Sequence, residues 1–398
     1  MNTRINSQAN AVGSGRPAAT ADTTLTLKEA AKEAKGMEIY EKALRGEIGK
    51  EDALFLARHP HILFKIADAL REQEKGEIVT YVVNRNINFT NICVGECKFC
   101  AFRRRKHSND AYLLRIEEIL SKVQEAVSLE ATEICIQGGL HPDLKIDFYC
   151  EMLERIKSEF DVHIHAFSPM EIFHIARNSG MSCEEVLREL KASGLDSMPG
   201  TAAEILNDDI RRVICPKKLR TKEWESIIKT AHRLKIPTTA TIMYGHIESI
   251  EDRIEHMFKI REIQKETGGF TEFVPLKFMR GNNELGKIVK REVNLFEDAV
   301  VHALARVILH PYCKNIQASW VKLTPFGAQQ MLFFGANDLG GTLMEENISR
   351  LAGASSGEYM PPDALERLIE DAGRKPRRRD TLYKNVAEKA SSFRAGMN

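Results

Sequence analysis

The chain has no charge excess: 57 Lys and Arg stand against 56 Asp and Glu over 398 residues. A dedicated nucleic-acid binder would carry a clear basic surplus, so that class is set aside. No apolar run approaches the roughly 20 residues needed to cross a bilayer. The opening residues lack the apolar stretch of a secretory signal. Met1 to Thr24 is rich in Ala, Ser, Thr, Asn and Gly, is acid-free until Asp22, and has only Arg4 and Arg16 as basic residues. Residues 1–24 are therefore read as a disordered tail rather than a transit peptide. No residue-level repeat is visible. There are eight cysteines but no disulfide spacing, because Cys135, Cys150, Cys183, Cys215 and Cys313 are scattered. These absences predict a cytoplasmic protein with neither a membrane nor a nucleic-acid partner.

What is present is a run of three cysteines, Cys93-x-x-x-Cys97-x-x-Cys100. No fourth follows nearby. A closed structural metal site wants four ligands, so three thiolates on one loop point to a centre with an open corner. The run is read as directly following a strand-like stretch, Ile78 to Val83. In an α/β fold, a metal loop at a strand end is where chemistry is placed.

From about residue 25 to 77 the periodicity is helical, an N-terminal extension. Strand candidates then follow at Ile78–Val83, Glu133–Gln137, Val162–Ala166, Ser197–Met198, Thr238–Tyr244, Thr271–Leu276, Asn315–Leu323 and Met331–Gly335. Helix-period segments lie between most of them, including Arg115–Ser128, Phe148–Glu159, Cys183–Ala192, Glu223–Leu234, Ile254–Lys265 and Leu295–Leu309. Ser182 with Glu185, and Ser249 with Asp252, read as capping boxes. Eight strand–helix units predict an α/β chain folded as a (β/α)8 TIM-type barrel over residues 78–340, with a six-unit open barrel as the alternative. Residues 341–398 are read as a C-terminal helical segment and tail.

The stretch after each strand is polar, glycine-rich or metal-capable. Parallel topology gathers such stretches at the C-terminal face, around the thiolates. Spacing alone leaves zinc open, since His107 could complete a Cys3His set in a zinc-stabilised binding protein. Phe99 inside the run, with Ala101-Phe102 after it, favours instead a surface for an adenine-sized ring.

With its aromatic before the last cysteine, the run resembles the radical S-adenosylmethionine superfamily. The resemblance implies a 4Fe-4S cluster on Cys93, Cys97 and Cys100, whose unligated iron takes S-adenosylmethionine. It places Phe99 beside the adenine, and Phe102 is a further candidate for the cofactor site. Gln137-Gly138-Gly139 stands where that family receives the methionyl amino group, with Gln in place of the family's usual first residue. Further segments look like one branch of the superfamily: Asn88 to Cys93, His165 to Glu171 (with Ser168), Pro199 to Leu206, Met243 to His246, Gly268 to Leu276 and Gly335 to Thr342. The branch holds the tyrosine-using subunit of FO synthase and two menaquinone-pathway relatives, aminofutalosine synthase and the cyclic dehypoxanthinyl futalosine enzyme. Gly200-Thr201-Ala202-Ala203 is the FO synthase form.

That likeness implies transfer of the 4-hydroxybenzyl group of L-tyrosine to 5-amino-6-(D-ribitylamino)uracil in deazaflavin synthesis. It implies a ring-closing FO synthase subunit and an electron donor as partners. An aminofutalosine synthase-like activity is the alternative. His165, Glu171, Tyr244, His246 and Glu272 are the candidate catalytic residues. Thr201, Glu204, Gln317, Asn337 and Asp338 are the candidate substrate contacts. Glu171 and Glu204 have a second reading as first-turn residues of helices, and His163, on the same strand face as His165, one as a hydrogen-bonded core residue. The basic runs Arg103 to His107 and Arg374 to Arg379 read mainly as solvated faces.

Overall fold

The computed structural model describes residues 21–345 and 347–386. Eight parallel staves close into a ring. Strands β1 (Ile78–Val82) and β2 (Asn84–Asn88) follow one another as a single bent stave. β2 pairs with β3 (Glu133–Gln137), and β3 with β4 (His163–Ala166). The next stave is two residues of ladder, Ser197 bridging His165 and Met198 bridging Thr238. β5 (Thr238–Tyr244) pairs with β6 (Phe270–Lys277). Ile316 bridges Phe273, and Gln317 bridges Asp338 at the start of β7 (Asp338–Gly341). β7 returns to β1 through Thr80–Asp338 and Val82–Gly341, and Met344 beyond it bridges Arg85. The circuit is the expected (β/α)8 barrel, with two staves reduced to bridges.

The outer layer forms where the sequence carries helical periodicity. The helix Cys183–Ala192 buries Val186, Leu187 and Leu190 and exposes its charges. Each such side chain contributes about 1.5–3 kcal/mol on leaving water. Ser182 accepts from the Glu185 amide at 3.2 Å, and the Glu185 carboxylate accepts from the Ser182 amide at 2.7 Å. Ser249 and Asp252 form the same reciprocal cap. Trp224 and Trp320 are fully buried. The N-terminal extension comprises the helices Ala21–Leu44, Lys50–Arg58 and Pro60–Lys75. It packs on the helix Leu295–Leu309, with the Phe64 ring against Phe296 and Phe334. Its first helix begins at Ala21, inside the segment read as a tail. The rest of that segment, residues 1–20, and the end of the C-terminal tail lie outside the described residues.

Several strand assignments shift. The cysteine run follows β2, not the stretch ending at Val83, because the first stave continues for five more residues. Only Ile316 and Gln317 of the expected strand Asn315–Leu323 bridge neighbours, and a helix begins at Trp320. Met331–Gly335 is the end of that helix and a turn, and the strand is Asp338–Gly341. A short apolar run fits a strand or a buried helix end equally well, and here the helical end buries Met331 and Leu332. The C-terminal segment carries the helices Asn347–Leu351 and Pro362–Asp371, as expected. It also carries a strand, β8 (Lys375–Arg378), which pairs in parallel with β1. β8 lies beside the first half of the bent stave, as β3 lies beside the second.

Candidate active site

The cysteine loop leaves the C-terminal end of β2 and is tied down along its length. The Cys93 amide donates to the Arg104 carbonyl at 3.0 Å, and the Val94 amide to Leu140 at 3.0 Å. The Lys98 amide donates to Ile214, and the Lys98 carbonyl accepts from Leu285, both at 2.8 Å. Arg103 closes the turn from the side, Nη1 donating to the Gly95 carbonyl at 2.6 Å. All three cysteines are free and partly buried.

Gly138 and Gly139 are glycine for a steric reason. A Cβ on Gly138 would meet the Phe89 ring at 2.4 Å, and one on Gly139 would meet the Ile92 carbonyl oxygen at 2.3 Å and Cys93 Cβ at 3.0 Å. The end of β3 is therefore pressed against the root of the cysteine loop, which side chains would prevent. Gln137 sits just before this contact, its carbonyl accepting from Asn88 Nδ2 at 3.3 Å.

Glu171 holds the next strand end. Its carboxylate accepts from the Gly138 amide at 2.9 Å and from both the amide and the hydroxyl of Ser168 at 2.7 Å. It is the N3 residue of the helix Pro169–Ser179, in a capping box with Ser168. Burial pushes its carboxyl up, and these donors hold it back. The first-turn reading of Glu171 is thus the geometry found, and through Gly138 it also braces the site.

Glu204 departs from its first-turn reading. It lies in the loop before the helix Asp208–Ile214 with φ +44° and pairs with Lys218 Nζ at 2.5 Å. Burial works against the Lys218 charge, but the Glu204 carboxylate, by its charge and its hydrogen bond, raises the pKa above the ordinary lysine value. The ammonium stands 5.3 Å from the centre of the Phe99 ring. Arg211 clamps this loop with hydrogen bonds to the carbonyls of Ala202, Ala203, Ile205 and Leu219. Thr201 contributes its carbonyl to the Trp224 indole at 3.2 Å. A cavity of about 140 Å³ opens beside the loop, lined by Phe99, Cys100, Glu204, Leu276, Lys277 and Phe278 among others. Phe102 is buried behind the loop, edge-on to Tyr112.

The other candidates lie elsewhere. His165 faces the barrel lumen, and Ser197 Oγ lies 2.7 Å from its Nδ1 and 2.7 Å from His163 Nε2. Burial lowers the His165 imidazole to about 4. Glu272 and Asp338 stand near the N-terminal ends of their strands, opposite the cysteine loop, where Arg379 and Tyr383 reach them. Gln317 lies in the lumen against Gly340. Tyr244 points out of the barrel and donates to Asp298 at 2.8 Å, and Lys277 donates to the same carboxylate at 3.0 Å. His246 is packed beside Glu248, with Nε2 3.1 Å from the Met243 carbonyl. Asn337 accepts from Arg306 at 2.5 Å and from the Ile316 amide at 2.9 Å, outside the lumen. Lys218, Arg211 and Arg379 escaped the sequence reading. Arg379 belongs to a run read as solvated, yet it is only 3% exposed and paired on both sides.

Three thiols on one loop suit an iron–sulfur cluster by donor softness and by number. Burial raises Cys97 to about 12 and raises Cys93 as well, so both are neutral here. A bound cluster would displace their protons. His107 is exposed, and among the described residues no three His, Cys, Asp or Glu side chains gather as a single-ion site. Zinc needs its ligands within about 2.0–2.3 Å of one point, so the Cys3His reading has no geometric support.

Comparison with known proteins agrees. The Radical SAM superfamily profile matches residues 87–260, and that of the CofH/MqnC C-terminal region matches residues 267–391. An Archaeoglobus fulgidus protein named 5-amino-6-(D-ribitylamino)uracil–L-tyrosine 4-hydroxyphenyl transferase is 60% identical over 82% of this chain and 94% of its own. Methanosarcina barkeri and Methanocaldococcus jannaschii proteins of the same activity name are 56% and 53% identical, over 89% and 85% of this chain and 95% and 97% of theirs. Among solved structures, methylornithine synthase superposes with a TM-score of 0.67 at 16% identity over 85% of this chain and 97% of its own. The [FeFe]-hydrogenase maturase HydG gives 0.69 at 15%, over 90% and 80%. These two likenesses speak to the fold. The chain belongs to the radical SAM superfamily, in the group that carries the CofH/MqnC C-terminal region.

Proposed function

We propose that this protein joins the 4-hydroxybenzyl group of L-tyrosine to 5-amino-6-(D-ribitylamino)uracil, a step in making the deazaflavin chromophore FO. The observation that carries the reading is 60% identity, over nearly the whole of a relative bearing that activity name, to a chain whose three thiols sit on one braced loop. Cys93, Cys97 and Cys100 would hold a 4Fe-4S cluster. Together with S-adenosylmethionine, that cluster would supply a carbon-centred radical when bound.

The protein's own part is to position and enclose. Phe99 presents an aromatic face to the cavity, and Met243, Leu276 and Phe278 line it with apolar surface that limits access of water to a reactive fragment. Gly138 and Gly139 let backbone approach the cofactor closely, while Glu171 and Ser168 hold that backbone in place. Gln137 and Thr201 stand at the same end of the barrel and are assigned to cofactor and substrate contacts. His165 and Gln317 are assigned to the polar lumen beneath. Tyr244, His246, Glu272, Asn337 and Asp338 serve the framework in this reading. A separate ring-closing subunit and an electron donor complete the pathway, in the cytoplasm.

The test is anaerobic reconstitution with iron and sulfide, followed by turnover with reductant, S-adenosylmethionine and each substrate in turn. The reading expects 5′-deoxyadenosine formation that depends on tyrosine and a coupled product that depends on the uracil. Turnover of an enolpyruvyl benzoate in place of tyrosine would select the aminofutalosine synthase activity instead.

A further inference from the structure

Lys218 is the only lysine or arginine whose charged group stands over an aromatic ring inside the cysteine run, among the described residues. The segment that delivers it is docked on that run at three points. The Lys98 amide donates to the Ile214 carbonyl at 2.8 Å, Lys217 pairs with Glu96 at 2.5 Å, and the Lys218 ammonium lies 5.3 Å from the Phe99 centroid. Arg211 fixes the far side of the segment through the Leu219 carbonyl, at 2.9 Å from Nε and 2.6 Å from Nη2. The Lys218 and Glu204 side chains are 16% and 12% exposed, so their charges are poorly screened. A charge at this position is felt by whatever the three sulfurs hold.

We infer that Lys218 and Glu204 form a charge pair that sets the reduction potential of the cluster bound by Cys93, Cys97 and Cys100. The inference rests on the cluster assignment made above. A protein tunes a cluster through the net charge, hydrogen bonding and solvent access around it. Reduction adds negative charge to the cluster. A nearby ammonium stabilises the reduced state and raises the potential, and a nearby carboxylate does the reverse. Because Glu204 lies against Lys218, each partner partly cancels the other, and removing either one unmasks its companion. The pair also explains why a buried lysine is kept beside thiols that are themselves buried. Glu204 offsets part of the desolvation cost of holding that ammonium in the fold.

The experiment is a redox titration, followed by electron paramagnetic resonance, of reconstituted wild-type, Lys218→Met, Lys218→Arg and Glu204→Gln proteins without S-adenosylmethionine. Iron and sulfide content is measured first, and a wild-type protein that assembles no cluster defeats the cluster assignment itself. Given a cluster, Lys218→Met is expected to move the midpoint potential to more negative values. Glu204→Gln should move it to more positive values, and Lys218→Arg should leave it near wild type. Opposite displacements are what a purely structural role would not produce. If Lys218→Met fails to assemble, Glu204→Gln carries the test alone, because it keeps the ammonium and removes its counter-charge. An unmoved or more negative potential in Glu204→Gln, or displacement of both variants in the same direction, overturns the inference.

Discussion

Arg379 grips Asp338 with two parallel hydrogen bonds, Nε to Oδ2 at 2.6 Å and Nη2 to Oδ1 at 3.0 Å. Arg379 follows β8, and Asp338 begins β7. The same guanidinium lies 3.5 Å from Glu272 and over the Tyr383 ring at 4.0 Å. It also helps hold the Glu133 carboxyl down: burial pushes that carboxyl up, and the Asn84 hydrogen bond and the Arg379 charge work against it. The C-terminal segment therefore supplies the cation that lets three acids line the N-terminal end of the lumen.

Removing that cation leaves buried carboxylates unpaired. Arg379→Met should cost about 3–5 kcal/mol of stability, the usual penalty for breaking a buried pair from one side. Chemical denaturation of the apo protein measures it, and a loss below about 1 kcal/mol would mean that solvent or Tyr383 takes over.

Burial pushes Glu272 up to about 7, with Arg379 pulling the other way. Its ordinary value is 4.5. The folded protein therefore binds more protons than the unfolded chain between those values. Stability from this group is present below about pH 4.5 and is lost as pH rises through about 7. Glu272→Gln should flatten the stability profile across that window and make the protein more stable than wild type at pH 8, as read by urea midpoints. An unchanged slope counts against the assignment.

Gly139→Ala places a methyl group 2.3 Å from the Ile92 carbonyl oxygen. The end of β3 and the root of the cysteine loop must separate there. The far-ultraviolet circular dichroism should stay native while iron bound after reconstitution falls several-fold. Native iron content would show that the contact is dispensable.

The barrel was legible because its evidence is local and repeated. Strands at Glu133–Gln137 and Thr238–Tyr244 and the capped helix at Cys183–Ala192 follow from period and caps alone. The cysteine loop and its glycines were legible too, since the chemistry of thiolates and the absence of side chains show in the residue types. What escaped depends on long-range pairing. Lys218 reads as one of two adjacent lysines until the fold sets it against Glu204 and Phe99. Arg379 ends a basic run whose neighbour Arg378 does reach the surface, pairing with Glu130. Tyr244 alternates along its strand, but alternation cannot say which face is inward, and the side chain turns out to Asp298.

Tyr244→Phe separates the two readings of that residue. As a framework donor it should cost about 1 kcal/mol of stability and leave turnover near wild type. A loss of turnover of tenfold or more, at unchanged stability, would return Tyr244 to the chemistry.

The most direct measurement follows the carbon. Reconstituted protein is given L-tyrosine labelled in the ring and benzylic carbon, with S-adenosylmethionine, reductant and 5-amino-6-(D-ribitylamino)uracil, and the uracil fraction is analysed by mass spectrometry. The account predicts a uracil adduct carrying the labelled 4-hydroxybenzyl group, formed together with 5′-deoxyadenosine and abolished by Cys97→Ala. A cluster-loaded protein that makes 5′-deoxyadenosine but transfers no label to the uracil would contradict it.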